Sequence, residues 1–270
     1  MRAMRIGNPR KSALTQKAVF ELRYRYGFAY LDRCGRVTNA ILRDKPEWIL
    51  GNTSPNPQNA PLINTTNNCR FNFSALKIDF GIEQGVGEEA LSEENLTEFV
   101  QQVDELTQLV IGELDLSEFS RIGFRVWYLF ECTDTPEAEE WLAKLGLCSV
   151  SAKLLSAFEG ELEAASMAFV IESKDRKFRI ALGSIERTIP LNLGGEILNV
   201  PARSLPKGQR EHFIKQVKLK KRLAHNPQFA AMIDIDAFQD EPKIVKAGEF
   251  ITTSLEQWTR FLQAGIMEDK

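Results

Sequence analysis

The sequence predicts an α+β protein, built of mainly antiparallel sheets with helices packed on one face. Several runs alternate apolar and polar residues, which is typical of strands with one buried and one solvated face. This alternation favours antiparallel sheets, because strands buried on both faces are apolar throughout. Between these runs, apolar residues recur at helical spacing behind capping residues, which predicts helices that cover the buried face.

The first half of the chain, residues 17–146, follows a basic segment, 1–16, that we predict to be a mobile arm. From Ala18 the even-numbered residues Phe20 to Tyr30 are apolar or aromatic, which predicts a strand that buries them. A turn, a returning strand, an irregular segment, a bulged strand, a helix, a further strand and a short helix should follow. The turn covers residues 32–35, the returning strand 36–43 and the irregular segment 46–68. The bulged strand covers 71–80, the helix 92–112, the further strand 119–132 and the short helix 135–146.

Three of these segments, one irregular and two strands, have patterns that predict further detail. Segment 46–68 is rich in proline, asparagine and threonine, which indicates a functional flap or a disordered insert. In segment 71–80 the alternation changes phase near Ser74, as a β-bulge would produce. In the strand 119–132, the even-numbered residues from Ile122 to Phe130 are expected to be buried.

Capping residues define the predicted helix ends. Ser92 precedes a helical pattern that ends near Gly112, and Thr135 with the proline after it opens the short helix. A capping box at 253–256 is expected to open the last helix of the chain.

The second half, residues 147–270, repeats the order of hairpin, helix, strand and helix. Its predicted hairpin, connection, basic helix and strand cover residues 162–189, 190–206, 204–225 and 229–238. The repeated order indicates two similar halves, either through a weak internal duplication or through convergent α+β patterning.

Three motifs together are similar to those of a known family. They are VFELRY at 19–24, RIGFR at 121–125 and MIDIDAF at 232–238. In order and spacing they resemble a sporadically distributed family of bacterial proteins of about this length that has no established activity. The resemblance therefore implies no catalytic residue, and the patchy distribution of the family implies an accessory role such as defence. The chain differs from the family after Arg125, where it has Trp127 and Tyr128 in place of a polar asparagine.

Charge is segregated along the chain, although the net charge is only −3. Residues 79–118 contain twelve acidic and no basic side chains, residues 1–45 contain eleven basic and three acidic, and residues 203–225 contain eight basic and one acidic. The protein should therefore carry separate positive and negative surfaces. A basic surface suits nucleic acid, and surfaces of opposite charge suit another protein or a second copy of the chain.

Several kinds of site are absent from the sequence. It contains no P-loop, GxGxxG, GxSxG or CxxC motif, so we predict no cofactor. The two histidines, His212 and His225, are too far apart on one helix to share a metal. No apolar run is long enough to span a membrane or to form a secretory signal, so we expect a cytoplasmic protein without membrane contact.

Four arginines on the polar faces of two strands form the main candidate anion-binding site. They are Arg23 and Arg25 on the first strand and Arg121 and Arg125 on the middle strand. If the two strands are neighbours, the four guanidinium groups share one patch, where they can bind phosphate or carboxylate through paired hydrogen bonds. The alternative is local ion pairing with Glu21 and Glu131.

The predicted basic helix is a second candidate anion-binding site. Helical spacing brings four of its cations together, namely Lys215, Lys218, Lys221 and Arg222. Contacts between such residues and phosphates supply affinity without sequence choice. A solvated helix face would have the same composition.

Asp234 and Asp236 form the best carboxylate pair. Residues i and i+2 of a strand point the same way, about 6.5–7 Å apart, and can hold a divalent cation if a third oxygen ligand is close. Asp79, on another predicted strand, is the candidate third ligand. The alternative is a solvated strand face opposite Ile233 and Ile235.

The favoured hypothesis is a non-enzymatic binding protein that engages nucleic acid or another anionic partner through its basic regions. The first alternative is a protein-interaction or self-assembling module of an accessory or defence system. The second is a metal-dependent phosphoesterase or nuclease that uses Asp234 and Asp236; no general base is evident for it in the sequence.

Overall fold

A single nine-stranded antiparallel sheet forms the centre of the protein. The computed structural model describes residues 13–51, 61–83, 91–145, 157, 166–186, 188–193, 196–201 and 229–265. The strands of the sheet are β1 (Ala13–Tyr24), β2 (Trp48–Leu50), β3 (Leu62–Asn64), β4 (Arg70–Phe73), β5 (Lys77–Glu83), β6 (Phe119–Cys132), β7 (Met167–Glu172), β8 (Lys177–Glu186) and β11 (Phe229–Asp240). Their order across the sheet is β2-β3-β4-β5-β1-β6-β11-β8-β7.

Four helices lie among the described residues, together with one short 3₁₀ turn and a separate two-stranded hairpin. The helices are α1 (Tyr30–Asp44), α2 (Glu93–Leu114), α3 (Thr135–Lys144) and α4 (Ala247–Gly265). The hairpin consists of β9 (Thr188–Leu193) and β10 (Glu196–Pro201). None of these helices is long and apolar enough to cross a membrane.

All four helices pack on the same face of the sheet, and this confirms the predicted α+β architecture. Each helix packs an aromatic ring against an aromatic ring of a strand. Tyr30 of α1 contacts Phe73, and Trp141 of α3 contacts Phe130. Phe99 of α2 and Trp258 of α4 both contact Phe124. The core therefore lies between the helices and this face, which we call the covered face. Nearly all of its side chains in the central strands are buried.

The predicted parity is confirmed for β6 and for the part of the first run that is strand, up to Tyr24. Phe20, Leu22 and Tyr24 of β1 are buried, and so are Ile122 and most of the even-numbered residues up to Phe130 on β6. The two strands are neighbours, with Phe20 opposite Phe124. The strand begins at Ala13, so the last residues of the predicted arm belong to β1, and residues 1–12 lie outside the described part.

The first strand is shorter than predicted, and the predicted returning strand 36–43 is wrong. The strand ends at Tyr24 because the next residues turn sharply: Tyr26 has a left-handed φ of 57°, and a side chain on Gly27 would collide with the Ala75 carbonyl oxygen. Tyr26 and Phe28 are consequently exposed. Residues 30–44 instead form α1, whose buried Tyr30, Val37 and Ile41 have helical spacing.

Two further strand predictions are also corrected. The phase change near Ser74 is a turn between β4 and β5 rather than a β-bulge, because the Ser74 N–H donates to the Lys77 carbonyl at 2.9 Å. Segment 46–68 contains the short strands β2 and β3, with Trp48 and Leu62 buried, and residues 52–60 lie outside the described part. Part of the predicted connection 190–206 forms the β9–β10 hairpin.

The predicted N-cap of α2 is confirmed, that of α3 is one residue earlier, at Asp134, and that of α4 is wrong. The Ser92 side chain accepts a hydrogen bond from the Asn95 N–H, and α3 begins at Thr135. Helix α4 begins six residues before the predicted capping box, where the Gly248 N–H donates to Asp104 of α2 at 2.8 Å. Ser254 lies inside the helix, and its hydroxyl donates to the Phe250 carbonyl.

The two predicted halves contribute to one sheet, which joins them where β6 of the first half pairs with β11 of the second. The strands β7 and β8 form the predicted hairpin around residues 173–176, and β11 extends the predicted strand by two residues. Whether the halves are related by duplication stays a prediction.

Candidate anion-binding face

The face of the sheet opposite the helices, which we call the open face, carries most of the predicted site residues. Because alternate residues of a strand point to opposite faces, the residues between the buried ones of the central strands all lie here. The charged side chains that these five strands place on the open face are Lys17, Glu21 and Arg23 on β1, Lys77, Asp79 and Glu83 on β5, Arg121, Arg125 and Glu131 on β6, Asp234, Asp236 and Asp240 on β11, and Lys177 and Arg179 on β8.

Asp234 holds two arginines from the strands on either side of it. Arg125 of β6 donates from Nε and Nη2 to the two carboxylate oxygens at 2.7 and 2.5 Å. Arg179 of β8 places its Nη1 atom 3.7 Å from the same carboxylate. The Asp234 side chain is only 4% exposed, whereas both guanidinium groups reach solvent. The hydrogen bonds that Arg125 donates to Asp234 raise the pKa of Arg125 above its usual value. The arrangement fixes two cations in place above the sheet.

Arg121 reaches the second carboxylate of the predicted pair. It donates from Nη2 to Asp236 at 3.0 Å, although the register places it opposite Asp240, four residues further along β11. The side chain passes beside Gly123, where an added Cβ would lie 3.8 Å from both Arg121 Nε and Asp236 Oδ1. Burial raises the pKa of Asp236, and the charges of Arg121 and Arg125 oppose this effect.

The four predicted arginines are brought together in part. Arg23 lies directly opposite Arg121 on the neighbouring strand, as the predicted patch requires. It bonds to Glu21 at 2.6 Å, the local ion pair that was the alternative. Arg25 lies past the end of β1, where it pairs with Glu241 at 3.0 Å and is exposed. The patch on the face therefore consists of Arg23, Arg121 and Arg125, with Arg25 at its margin.

Two aromatic rings lie on the open face between these charges. Trp127 of β6 has Lys17 at 5.2 Å and Arg125 at 5.2 Å from its ring centroid. Phe238 of β11 has Arg121 at 4.5 Å and Lys177 at 6.0 Å from its centroid. Each ring is half-buried and has two cations over it at cation–π distance.

The structure does not assemble the predicted metal site. Asp79 lies on β5, and β1 and β6 separate that strand from β11, so about 14 Å of sheet lies between them. Asp79 pairs instead with Lys77 at 2.8 Å, and this raises the pKa of the lysine. Within the described residues, no three His, Cys, Asp or Glu side chains are placed to hold a metal ion. Asp234 and Asp236 are partners of arginines.

Part of the acidic region 79–118 is used inside the chain. Asp104 binds the N-terminus of α4, and Glu83, Glu105 and Glu113 pair with cations of other elements of the same chain. These contacts leave less free negative charge than the sequence suggests. The predicted basic helix with Lys215, Lys218, Lys221 and Arg222 lies outside the described residues.

Sequence reasoning missed three contributors to the open face, which are Arg179, Trp127 and Phe238. The alternation of β8 places Arg179 and Lys177 on one face, so a signal for these cations existed. That β8 lies next to β11 is a property of the strand order, which no local pattern contains.

None of the comparisons with known proteins gives a match, whether with family models, curated proteins or solved structures. Function must therefore be argued from the residues and the geometry of the open face. The family resemblance of the three sequence motifs stays an expectation.

Proposed function

We propose that the protein is a non-enzymatic binding protein that engages single-stranded nucleic acid on the open face. The observation that carries the proposal is the pair of half-buried rings on neighbouring central strands, Trp127 and Phe238, each with two cations over it. Sheets that bind single strands use the same combination, because bases stack on aromatic rings while cations contact the phosphates.

The spacing of the rings supports one base on each. Trp127 lies opposite Asp234, and Phe238 lies four residues further along the same strand. At a strand rise of about 3.3 Å per residue, the rings are therefore about 13 Å apart along the sheet. All four described helices pack on the covered face, so none of them blocks this path.

The arginines retain donors for a phosphate. Arg125 uses Nε and Nη2 for Asp234, which leaves Nη1, and Arg121 uses Nη2 for Asp236. A guanidinium group carries five N–H donors, so binding to a carboxylate does not exhaust it. The two aspartates hold the guanidinium groups in a defined orientation, which lowers the entropic cost of binding a ligand.

The carboxylates limit the affinity that this face can supply. Arg121, Arg125 and Arg179 face Asp234 and Asp236, which leaves an excess of one positive charge in that cluster. Lys17 and Lys177 pair with Glu83 and Asp240 at 3.0 and 3.1 Å on the same face. We expect weak, salt-sensitive binding from the face itself. The arm and the segment 204–225 are proposed to add cations to it.

Fluorescence anisotropy with a labelled single-stranded oligonucleotide at two salt concentrations tests the proposal. The double variant Trp127→Ala, Phe238→Ala should lose about 1–3 kcal/mol of binding free energy for each base that stacks. Phe28→Ala is the matched control, because Phe28 is 64% exposed but lies beyond the end of β1. It should bind like wild type.

A second pair of changes tests the cations that flank the rings. Lys17→Gln with Lys177→Gln removes two of them without touching Asp234 or Asp236. The slope of log affinity against log salt should then become shallower by about 0.7 for each phosphate that these lysines neutralise. Unchanged binding in both double variants would show that the open face does not contact the nucleic acid. No binding of wild type at low salt would overturn the proposal.

A protein-interaction module is the second candidate, and a cluster of exposed apolar side chains favours it. Tyr26, Phe28, Leu31 and Leu76 are 62–73% exposed, and the Tyr24 N–H bonds to the Leu76 carbonyl at the same end of the sheet. Grouped exposure of this kind marks protein contacts. Affinity capture with wild type and a Phe28→Ser, Leu76→Ser variant tests it. A partner that both proteins retain equally would argue against the cluster.

A further inference from the structure

Among the described residues, no strand pairs with the outer edge of β7. β7 is the last strand of the described sheet, and its inner edge pairs with β8. Its side chains remain accessible on both faces, with Val170 57% and Ile171 44% exposed. An exposed apolar edge strand is a template for pairing with another strand.

The hairpin turn determines which backbone groups point outward. The Ser173 N–H donates to the Arg176 carbonyl at 2.8 Å, so this pair is a hydrogen-bonded one. Hydrogen-bonded and non-hydrogen-bonded pairs alternate along an antiparallel ladder. Ala168, Val170 and Glu172 are therefore non-hydrogen-bonded toward β8, and their N–H and C=O groups point away from the sheet.

The two edges of the sheet differ in the devices that block strand pairing. The opposite edge strand, β2, has only three residues and follows Pro46 closely. β7 has six residues without lysine, arginine, proline or glycine, and its only charge is Glu172 at the end. Short length, proline and lysine are the usual protections of an edge, and β7 lacks all three.

We propose that two copies of this chain pair through β7, antiparallel and about a two-fold axis at Val170. The inference goes beyond the proposed binding of nucleic acid and does not depend on it. In this register Val170 meets its counterpart, and Ala168 meets Glu172 of the other copy, so all three outward-pointing residues pair inside the strand. A shift by one position would place Glu172 opposite residue 166, outside β7.

The side chains fit the same register. Phe169 lies opposite Ile171 of the other copy on the covered side, an aromatic and β-branched pair of the kind that stabilises sheets. Glu172 faces an alanine, so no like charges meet. Because each copy uses its β7 edge and the β2 edge is short, the association closes as a dimer instead of continuing as a fibre.

Analytical ultracentrifugation of the full chain over a range of micromolar concentrations tests the proposal. Wild type should sediment as a dimer at the higher concentrations, and Val170→Lys should remain a monomer, because two lysines would meet at the axis. Ile49→Lys is the matched control, since Ile49 is an exposed apolar residue on the edge strand β2. It should dimerise like wild type, and thermal unfolding should show that both variants are folded. A monomeric wild type at all concentrations, or a dimeric Val170→Lys, would overturn the proposal.

Cysteine substitution tests the register. Hydrogen-bonded antiparallel pairs have Cα atoms about 5.5 Å apart, within the range of a disulfide. Oxidation of Val170→Cys should give a covalent dimer on a non-reducing gel, whereas Ala168→Cys and wild type should not. A covalent dimer from Ala168→Cys but not from Val170→Cys would contradict the axis at Val170.

Discussion

The covered and open faces of the sheet are made by the same strands, yet different interactions hold them. On the covered face, Phe124 stacks with Trp258 at 4.9 Å and contacts Phe99 at 6.3 Å. On the open face of the same strand, Arg125 binds the carboxylate of Asp234 on the next strand. One face thus excludes water, and the other presents charge to it. Alternation along a strand lets one segment serve stability and binding at the same time.

The energetic difference between the faces is large. Full burial of a large apolar side chain contributes about 1.5–3 kcal/mol, whereas an exposed ion pair contributes about 0–1 kcal/mol. Asp234 is the exception on the open face, because its side chain is buried and would be left unpaired without its arginines. The comparison therefore predicts a steep order of effects between the faces.

The largest effect is expected on the covered face. Phe124→Ala should lower the free energy of unfolding by about 3–5 kcal/mol, since it removes a buried ring and leaves a cavity between α2 and α4. Urea unfolding followed by circular dichroism measures it. A loss below about 1 kcal/mol would mean that the helices do not depend on this contact.

An intermediate effect is expected at the buried carboxylate of the open face. Asp234→Asn keeps the shape but leaves Arg125 and Arg179 without their partner, so we expect a loss of about 1–3 kcal/mol in the same unfolding measurement. Arg23→Gln is the control, because it breaks an exposed pair on the same face and should cost less than about 0.5 kcal/mol. Equal losses in the two variants would contradict the special role of Asp234.

The smallest effect is a pH dependence at Asp236. Burial raises its pKa above the usual 3.8, so its contribution to stability is fully present below that pH and is lost as the pH rises through the folded value. Asp236→Asn removes this titration and should match wild type near pH 3. At pH 7 the variant should be more stable than wild type, because it carries no buried charge at this position.

Unfolding of both proteins across this pH range checks the sign. A variant that is less stable than wild type at pH 7 would show that the ion pair with Arg121 outweighs the cost of burying the carboxylate.

Much of the local structure was predictable from the sequence, and the errors have physical causes. The caps of α2 and α3 depend on residues a few positions apart, and the prediction placed both near their observed positions. The start of α4 depends on Asp104, more than a hundred residues away, which binds the Gly248 N–H. The end of β1 depends on the close approach of Gly27 to Ala75, another contact between segments distant in sequence.

The candidate site was likewise predictable only in part from the sequence. Alternation showed which arginines and aspartates point to the polar face, because that depends only on the two-residue period of a strand. It did not show that Asp234 pairs with Arg125, that two strands separate Asp79 from Asp234, or that Arg179 joins the cluster.

The sequence by itself determined the face on which each side chain of a strand lies, since backbone geometry sets it locally. Only the tertiary structure decided which strands are neighbours and in what register, because packing of the whole chain selects the strand order. The pairing of Arg125 with Asp234 and the position of β7 at the edge of the described sheet are both consequences of that order.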